Sequence, residues 1–141
     1  MEWYDNYNIG IKLIDEQHRE LVTMVSKLQK ALSTDAERSQ TGETIKFLVD
    51  YTRTHFADEE SLMNQIGYPD LEQHRRIHKK LIGDITEILI RLKKGKSFNA
   101  MELIDFLTEW LMHHITQEDK KIGRFLERST IAAPDYINPE N

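Results

Sequence analysis

Apolar residues recur along this chain at intervals of three and four, in four successive blocks. Ile14, Leu21, Val22, Val25, Leu28 and Leu32 predict an amphipathic helix from about Asp15 to Leu32. Ile45, Leu48, Phe56, Leu62 and Ile66 predict a second, from about Glu43 to Ile66. Gly67-Tyr68-Pro69-Asp70 ends it, because glycine suits a helix C-cap and proline cannot extend the hydrogen-bond ladder. Leu71, His74, His78, Leu81, Ile85, Ile88 and Leu92 then step without a break, which predicts a third helix starting near Pro69. Leu103, Leu107, Trp110, Leu111, Ile115, Ile122 and Leu126 predict a fourth, from about Ala100 to Glu127. Polar stretches, Ser33 to Gly42 and Gly95 to Asn99, separate the blocks. Trp3, Tyr4 and Tyr7 form an arm expected to pack over the helices, and the tail from Ser129, with Pro134 and Pro139, is expected to fray. Nothing reads as a strand. Four amphipathic helices joined by short loops bury their stripes as an all-α, up-down-up-down four-helix bundle. The expected domain is 1–128, followed by a frayed tail at 129–141.

Polar residues interrupt these apolar stripes. Residues four apart on an α-helix differ by only about 40° in direction. His74 and His78 therefore share the stripe of Leu71, Leu81 and Ile85, one turn apart. His55 and Glu59 do the same between Leu48 and Leu62. His18 sits between Ile14 and Leu21 on the first helix, and His114 lies beside Leu111 and Ile115 on the fourth. One inward histidine is ordinarily a satisfied core residue. Five of the six histidines, contributed by all four helices, are a different matter. Burying so many imidazoles and carboxylates without a partner costs several kcal/mol per charged group, roughly the whole stability of a small domain. A bound cation removes that cost by supplying charge and ordering its ligands.

Composition narrows the choice of cation. The 141 residues contain no cysteine, so thiolate zinc sites, iron–sulfur clusters and disulfides are excluded together. Imidazoles with carboxylates suit iron, zinc or copper better than calcium or magnesium. The donors are too many for one tetrahedral zinc, and two ions sharing bridging carboxylates use the set economically. HExxH is absent, as are the Glu-x-x-His pairs of ferritin-like di-iron proteins. A net charge of −5 gives no nucleic-acid footprint; the basic run Arg91, Lys93, Lys94 and Lys96 suits a helix C-terminus instead. No signal peptide and no bilayer-length apolar run is visible, so a cytoplasmic protein without a membrane or nucleic-acid partner is expected.

Four spaced motifs resemble the hemerythrin family, specifically its bacterial members. They are Asp15-Glu16-Gln17-His18, His55-Phe56-Ala57-Asp58-Glu59, His74-Arg75-Arg76-Ile77-His78 and His114-Ile115-Thr116-Gln117-Glu118-Asp119. Trp3 and Tyr7-Asn8-Ile9-Gly10-Ile11 are similar to the family's amino-terminal arm. The resemblance implies a di-iron centre in which His74, His78 and His114 saturate one iron. His18 and His55 would hold the other, with Glu59, Asp119 and an oxo or hydroxo group bridging the Fe2+/Fe3+ pair. The open position on the second iron takes dioxygen in the family. Leu21, Phe56, Trp110, Leu111 and Ile115 resemble the oxygen-pocket wall, although ordinary core packing accounts for them equally well.

One register question arises at the fourth helix. Glu118 lies four residues after His114, whereas Asp119 lies five, about 140° around a regular helix. Spacing alone favours Glu118. The family's His-x4-Asp pattern, with Ile115 directly after the histidine, favours His114 with Asp119 and turns His113 outward. Asp58, Glu60, Arg75, Arg76, Lys79 and Lys80 read as solvated charges. The implied function is reversible dioxygen binding for carriage, storage, delivery or sensing, with an oxygen-using enzyme or sensor as partner. The alternative is a di-iron enzyme acting on peroxide, nitric oxide or another small oxidant; no added acid–base group or substrate channel speaks for it.

Overall fold

The computed structural model describes residues 3–33, 38–95 and 100–129. Its main helices are α1 (Lys12–Ser33), α2 (Arg38–Ile66), α3 (Leu71–Lys93), α4 (Ala100–His113) and α5 (Lys120–Arg128). A π-helical turn, His114–Asp119, joins α4 to α5, so these three pieces form the fourth rod of an up-down-up-down bundle. α1 packs on α2 and α4, and α2 packs on α3. A short 3-10 turn, Asp5–Tyr7, lies in the amino-terminal arm. No described helix is long and apolar enough to cross a membrane.

The helix ends depart from expectation in two places. α2 begins at Arg38, five residues before the predicted start, and runs through Gly42. A mid-helix glycine costs only about 1 kcal/mol, which a helix of 29 residues carries through the packing of its apolar face. α3 begins at Leu71 and leaves Pro69 outside. The closure of α2 explains this. Gly67 takes φ 71°, its N–H reaches the Asn64 carbonyl at 3.3 Å, and the Tyr68 N–H reaches Met63 at 2.9 Å. This is a Schellman closure, and it draws Tyr68 back against α2 before the chain can turn. The remainder of the predicted linker at 34–37, the loop at 96–99 and the tail beyond 129 lie outside the described residues.

The interior divides into two apolar clusters with a polar layer between them. Leu21, Phe56, Ile85, Leu107 and Ile115 belong to the larger cluster; Ile14, Leu62, Ile66 and Ile122 belong to the smaller. On α1 the step from one to the other passes His18. On α2 it passes Glu59, and at the π turn it passes Asp119. Each rod thus spends about one turn of its buried stripe on polar groups.

The arm is held at two points. The Asp15 carboxylate accepts the N–H groups of Ile9 at 2.7 Å and Gly10 at 3.2 Å. Burial raises the Asp15 pKa, and those two bonds work against the rise. At the second point Gly123 of α5 meets the arm backbone: a Cβ there would lie 2.1 Å from the Ile9 carbonyl oxygen. Trp3 is thereby set edge-on to Tyr7, with ring centres 5.4 Å apart, and 6.5 Å from the His18 ring.

Candidate metal centre

The polar layer brings together all seven residues expected to form the site. His18, His55, Glu59, His74, His78, His114 and Asp119 are all buried, and both carboxylates are fully so. Their donor atoms fall into two overlapping sets: Glu59, His74, His78, His114 and Asp119, and His18, His55, Glu59 and Asp119. Within each set all the donor atoms lie within 4.8 Å of one another. The two acids belong to both sets, and the imidazoles divide three to two.

Local helix geometry aims each pair. His74 and His78 use the four-residue stride of regular α3, and their rings stand 4.5 Å apart. His55 and Glu59 use the same stride on α2, with Nε2 2.9 Å from Oε2. His114 and Asp119 are five apart, a stride that a regular helix would misalign. The π turn corrects this: the Lys120 N–H bonds the Ile115 carbonyl, five residues back. The widened turn brings residue i+5 over residue i, and such turns are frequent at functional sites. His114 Nε2 lies 3.1 Å from Asp119 Oδ1, while Glu118 pairs at the surface with Lys121. His113 is exposed.

The electrostatics are those of a crowded acid–imidazole layer. Burial opposes a charge on His18, His74 and His114, but hydrogen bonds and charge from Asp119 and Glu59 prevail. The pKa rises to about 9 for His18 and His74 and to about 10 for His114. Burial and the charge of Glu59 push Asp119 up, yet His114 and His18 hold it below the usual range. Burial likewise raises Glu59, and the charge of His55 leads the interactions that bring it well down. His55 itself is lowered, first by burial.

Proximity does not satisfy these groups. Nε2 of His55, Nε2 of His74, Oε1 of Glu59 and both oxygens of Asp119 are buried without an aligned hydrogen bond. His74 Nε2 is 3.3 Å from Glu59 and 3.1 Å from Asp119, and His78 Nε2 faces His114 Nε2 at 3.1 Å. Lone pairs converging on shared points, rather than on each other, are what ligands of a cation present. The donor set therefore fits a metal pair.

The expected pocket residues also come together. Leu21, Phe56, Trp110, Leu111 and Ile115 are buried in the larger apolar cluster beside the layer. Phe56 stacks on His78, with ring centres 3.6 Å apart and planes 3° from parallel.

Comparison with known proteins agrees with this geometry. Residues 9–126 match the family model for the hemerythrin HHE cation-binding domain. The chain belongs to the hemerythrin family. It is 41% identical over 118 residues to the bacteriohemerythrin of Stenotrophomonas maltophilia, covering 84% of this chain and 76% of that one. The bacteriohemerythrin of Methylococcus capsulatus is 31% identical over 117 residues, covering 83% of this chain and 88% of the relative. A crystal structure of wild-type hemerythrin superposes with a TM-score of 0.83 at 31% identity, covering 89% of this chain and 97% of that one.

Three charges expected to be solvated are instead engaged next to the site. Asp58 accepts a 2.7 Å bond from Gln17, and Gln17 Oε1 lies 2.7 Å from His55 Nδ1. Glu60 lies 3.0 Å from His78 Nδ1 and accepts from Arg75 at 3.1 Å. Periodicity along one helix does not reveal such contacts, because they reach sideways to a neighbouring helix. Arg76, Lys79 and Lys80 are exposed, as expected.

Proposed function

We propose that this chain binds dioxygen reversibly at a non-haem di-iron centre, for carriage, storage or delivery to an oxygen-using partner. The supporting observation is the unequal division of donors: three imidazoles in one set, two in the other, and two acids common to both. In this reading His74, His78 and His114 would hold one ion, with Glu59 and Asp119 available to both. His18 and His55 leave the other ion one position short, which is where a small ligand binds. A ferrous pair held by these residues would supply the two-electron chemistry that reversible capture of dioxygen requires. Glu59 and Asp119 each turn one oxygen toward the two-histidine set and the other toward the three-histidine set, so either acid would serve both ions.

The apolar residues have a separate task. Leu21, Phe56, Trp110, Leu111 and Ile115 line one side of the layer with groups that offer water no hydrogen bond. A dry wall strengthens every electrostatic interaction inside it and keeps water out of the layer.

The test is optical and analytical. Protein reduced under anaerobic conditions, exposed to air and then freed of oxygen should change its visible spectrum and return. Purified protein should carry two irons per chain. One zinc per chain, or a spectrum that never returns, would overturn the proposal.

A further inference from the structure

Two of the inward imidazoles, one in each donor set, carry a side-chain partner on the outer nitrogen, and the partners differ in kind. Beside His55 the chain of contacts can be assigned atom by atom. The Asp58 carboxylate only accepts, so the Gln17 amide turns its N–H toward it at 2.7 Å. That leaves Gln17 Oε1 facing His55 Nδ1 at 2.7 Å, and Nδ1 must be the donor. Nε2 of His55 is then a lone pair directed into the layer. Beside His78 the acceptor is the carboxylate of Glu60, 3.0 Å from Nδ1. The other Glu60 oxygen accepts from Arg75 Nε at 3.1 Å, and Arg75 also donates to Glu72. His18 and His114, by contrast, have outer nitrogens that are buried without a hydrogen-bond partner.

The two partners give their imidazoles unequal donor strength. An N–H held by an anion leaves more electron density on the opposite ring nitrogen than an N–H held by a neutral amide. The anion stands in the set with three imidazoles and the amide in the set with two. We propose that Glu60 and Gln17 are positioning residues that make the metal pair electronically uneven, the three-histidine side being the more easily oxidised. The inference rests on the two-metal reading above. It gives the four charges and amides around the layer a task beyond holding α1 to α2 and α2 to α3. Glu60 raises the donor power of His78 toward the ion that the three-histidine set would hold. Gln17 orients His55 without doing so for the other ion.

Two variants separate this from a merely structural role. Glu60→Gln keeps one acceptor oxygen of the same reach for His78 and removes the charge, at the cost of the bond accepted from Arg75. Gln17→Glu, made together with Asp58→Asn so that two carboxylates do not face each other at 2.7 Å, places a charge directly at the other imidazole. Each protein, and wild type, is titrated anaerobically with cobalt(II) and, after loading with iron, examined by potentiometry. Glu60→Gln should weaken one of the two cobalt steps about ten-fold or more while sparing the other. It should also move the second reduction potential, that of the three-histidine side, to a more positive value, and Gln17→Glu should move the first, that of the two-histidine side, negative. Equal potentials in all three proteins, or shifts of the same sign in both variants, would overturn the proposal even where melting temperatures change. Should Glu60→Gln not fold, the sign of the Gln17→Glu shift decides alone. A wild-type chain that takes up fewer than two cobalt ions would sink the two-metal reading itself, which the variants cannot do.

Discussion

α3 and the fourth rod solve one problem in two ways. Each must direct two polar side chains from a single helix into the same buried layer. α3 does so with His74 and His78 at a stride of four, inside an unbroken run from Leu71 to Lys93. The fourth rod carries its pair, His114 and Asp119, at a stride of five and opens a π turn to bring them into line. The first solution follows from repeat and geometry alone. The second spends regular hydrogen bonding to place an acid where both donor sets can reach it. The difference shows that the layer's geometry dictates the helix at the π turn, whereas on α3 the helix dictates the geometry.

The largest expected effects come from removing one member of each pair. Asp119 belongs to both donor sets and His74 to one. Asp119→Asn should therefore impair binding of both ions, and His74→Ala should abolish the normal two-ion centre by opening the three-histidine side. Either loss should exceed the 10–100-fold that an outer partner is worth. Metal content per chain and the optical spectrum after reconstitution give the measurement. His74→Ala protein that binds metal and oxygen as wild type does would show that α3 does not supply a ligand pair.

Glycine substitutions sharpen the contrast in stability. Gly83 on α3 would meet nothing within 4 Å if given a Cβ, whereas Gly123, just past the π turn, would drive one into the Ile9 carbonyl. Gly83→Ala should stabilise by about 0.5–1 kcal/mol, through a less flexible unfolded chain and better helix propensity. Gly123→Ala should destabilise by about 1–3 kcal/mol and displace the arm, because backbone cannot swing aside as a side-chain tip can. Thermal melts with Trp3 fluorescence separate the two; equal melts would mean that the arm does not rest on α5.

The pH response of chelator-treated protein tests how both pairs share Asp119. His74 on α3 titrates near 9 and His114 on the fourth rod near 10 in the folded chain, against 6.5 when unfolded. A raised folded value means stability that is full below pH 6.5 and lost as pH climbs through 9 to 10. Asp119 and Glu59 are lowered from 3.8 and 4.5, so their contribution is present above those values and fades as pH falls below them. His55 is lowered from 6.5, so it costs stability as pH falls below that value, and the chelated protein should be most stable near pH 6.5. Added metal should extend stability to the alkaline side by replacing the protons. An apo melting temperature that rises from pH 7 to 10 would contradict the histidine–acid pairing.

Legibility in the sequence follows the same division. Four-residue strides on α2 and α3 exposed His55, Glu59, His74 and His78, since an apolar stripe declares any polar residue within it. His18 and His114 were legible for the same reason. Asp119 was not, because a π turn leaves no mark in periodicity, and only the His-x4-Asp pattern of the family pointed to it. Asp58, Glu60 and Arg75 sit beside the stripes and read as solvated charges, and Gln17 was given no role of its own. Their bonds run between helices, a relation that appears only once the helices are packed. The start of α2 was missed for a weaker reason: polar Arg38 to Gly42 lacks a strong helix signal, yet a long packed helix extends into it at small cost.

The smallest expected effects test whether the π turn is a device or an accident. A π turn holds one residue more than the helix needs, so deleting exposed Gln117 should return His114 and the following acid to a four-residue stride. Ile122 and Gly123 would keep their inward face, because the extra residue had already been absorbed within the turn. The shortened chain should fold, melt at or slightly above the wild-type temperature and retain two metal ions. Loss of folding would show that the residues after the turn depend on the wide geometry itself. Glu118→Gln should change still less, since Glu118 reaches outward to Lys121 at 3.5 Å. A variant lacking the Glu118 charge that loses its metal, while Asp119→Asn keeps it, would reverse the register and leave the π turn without a purpose.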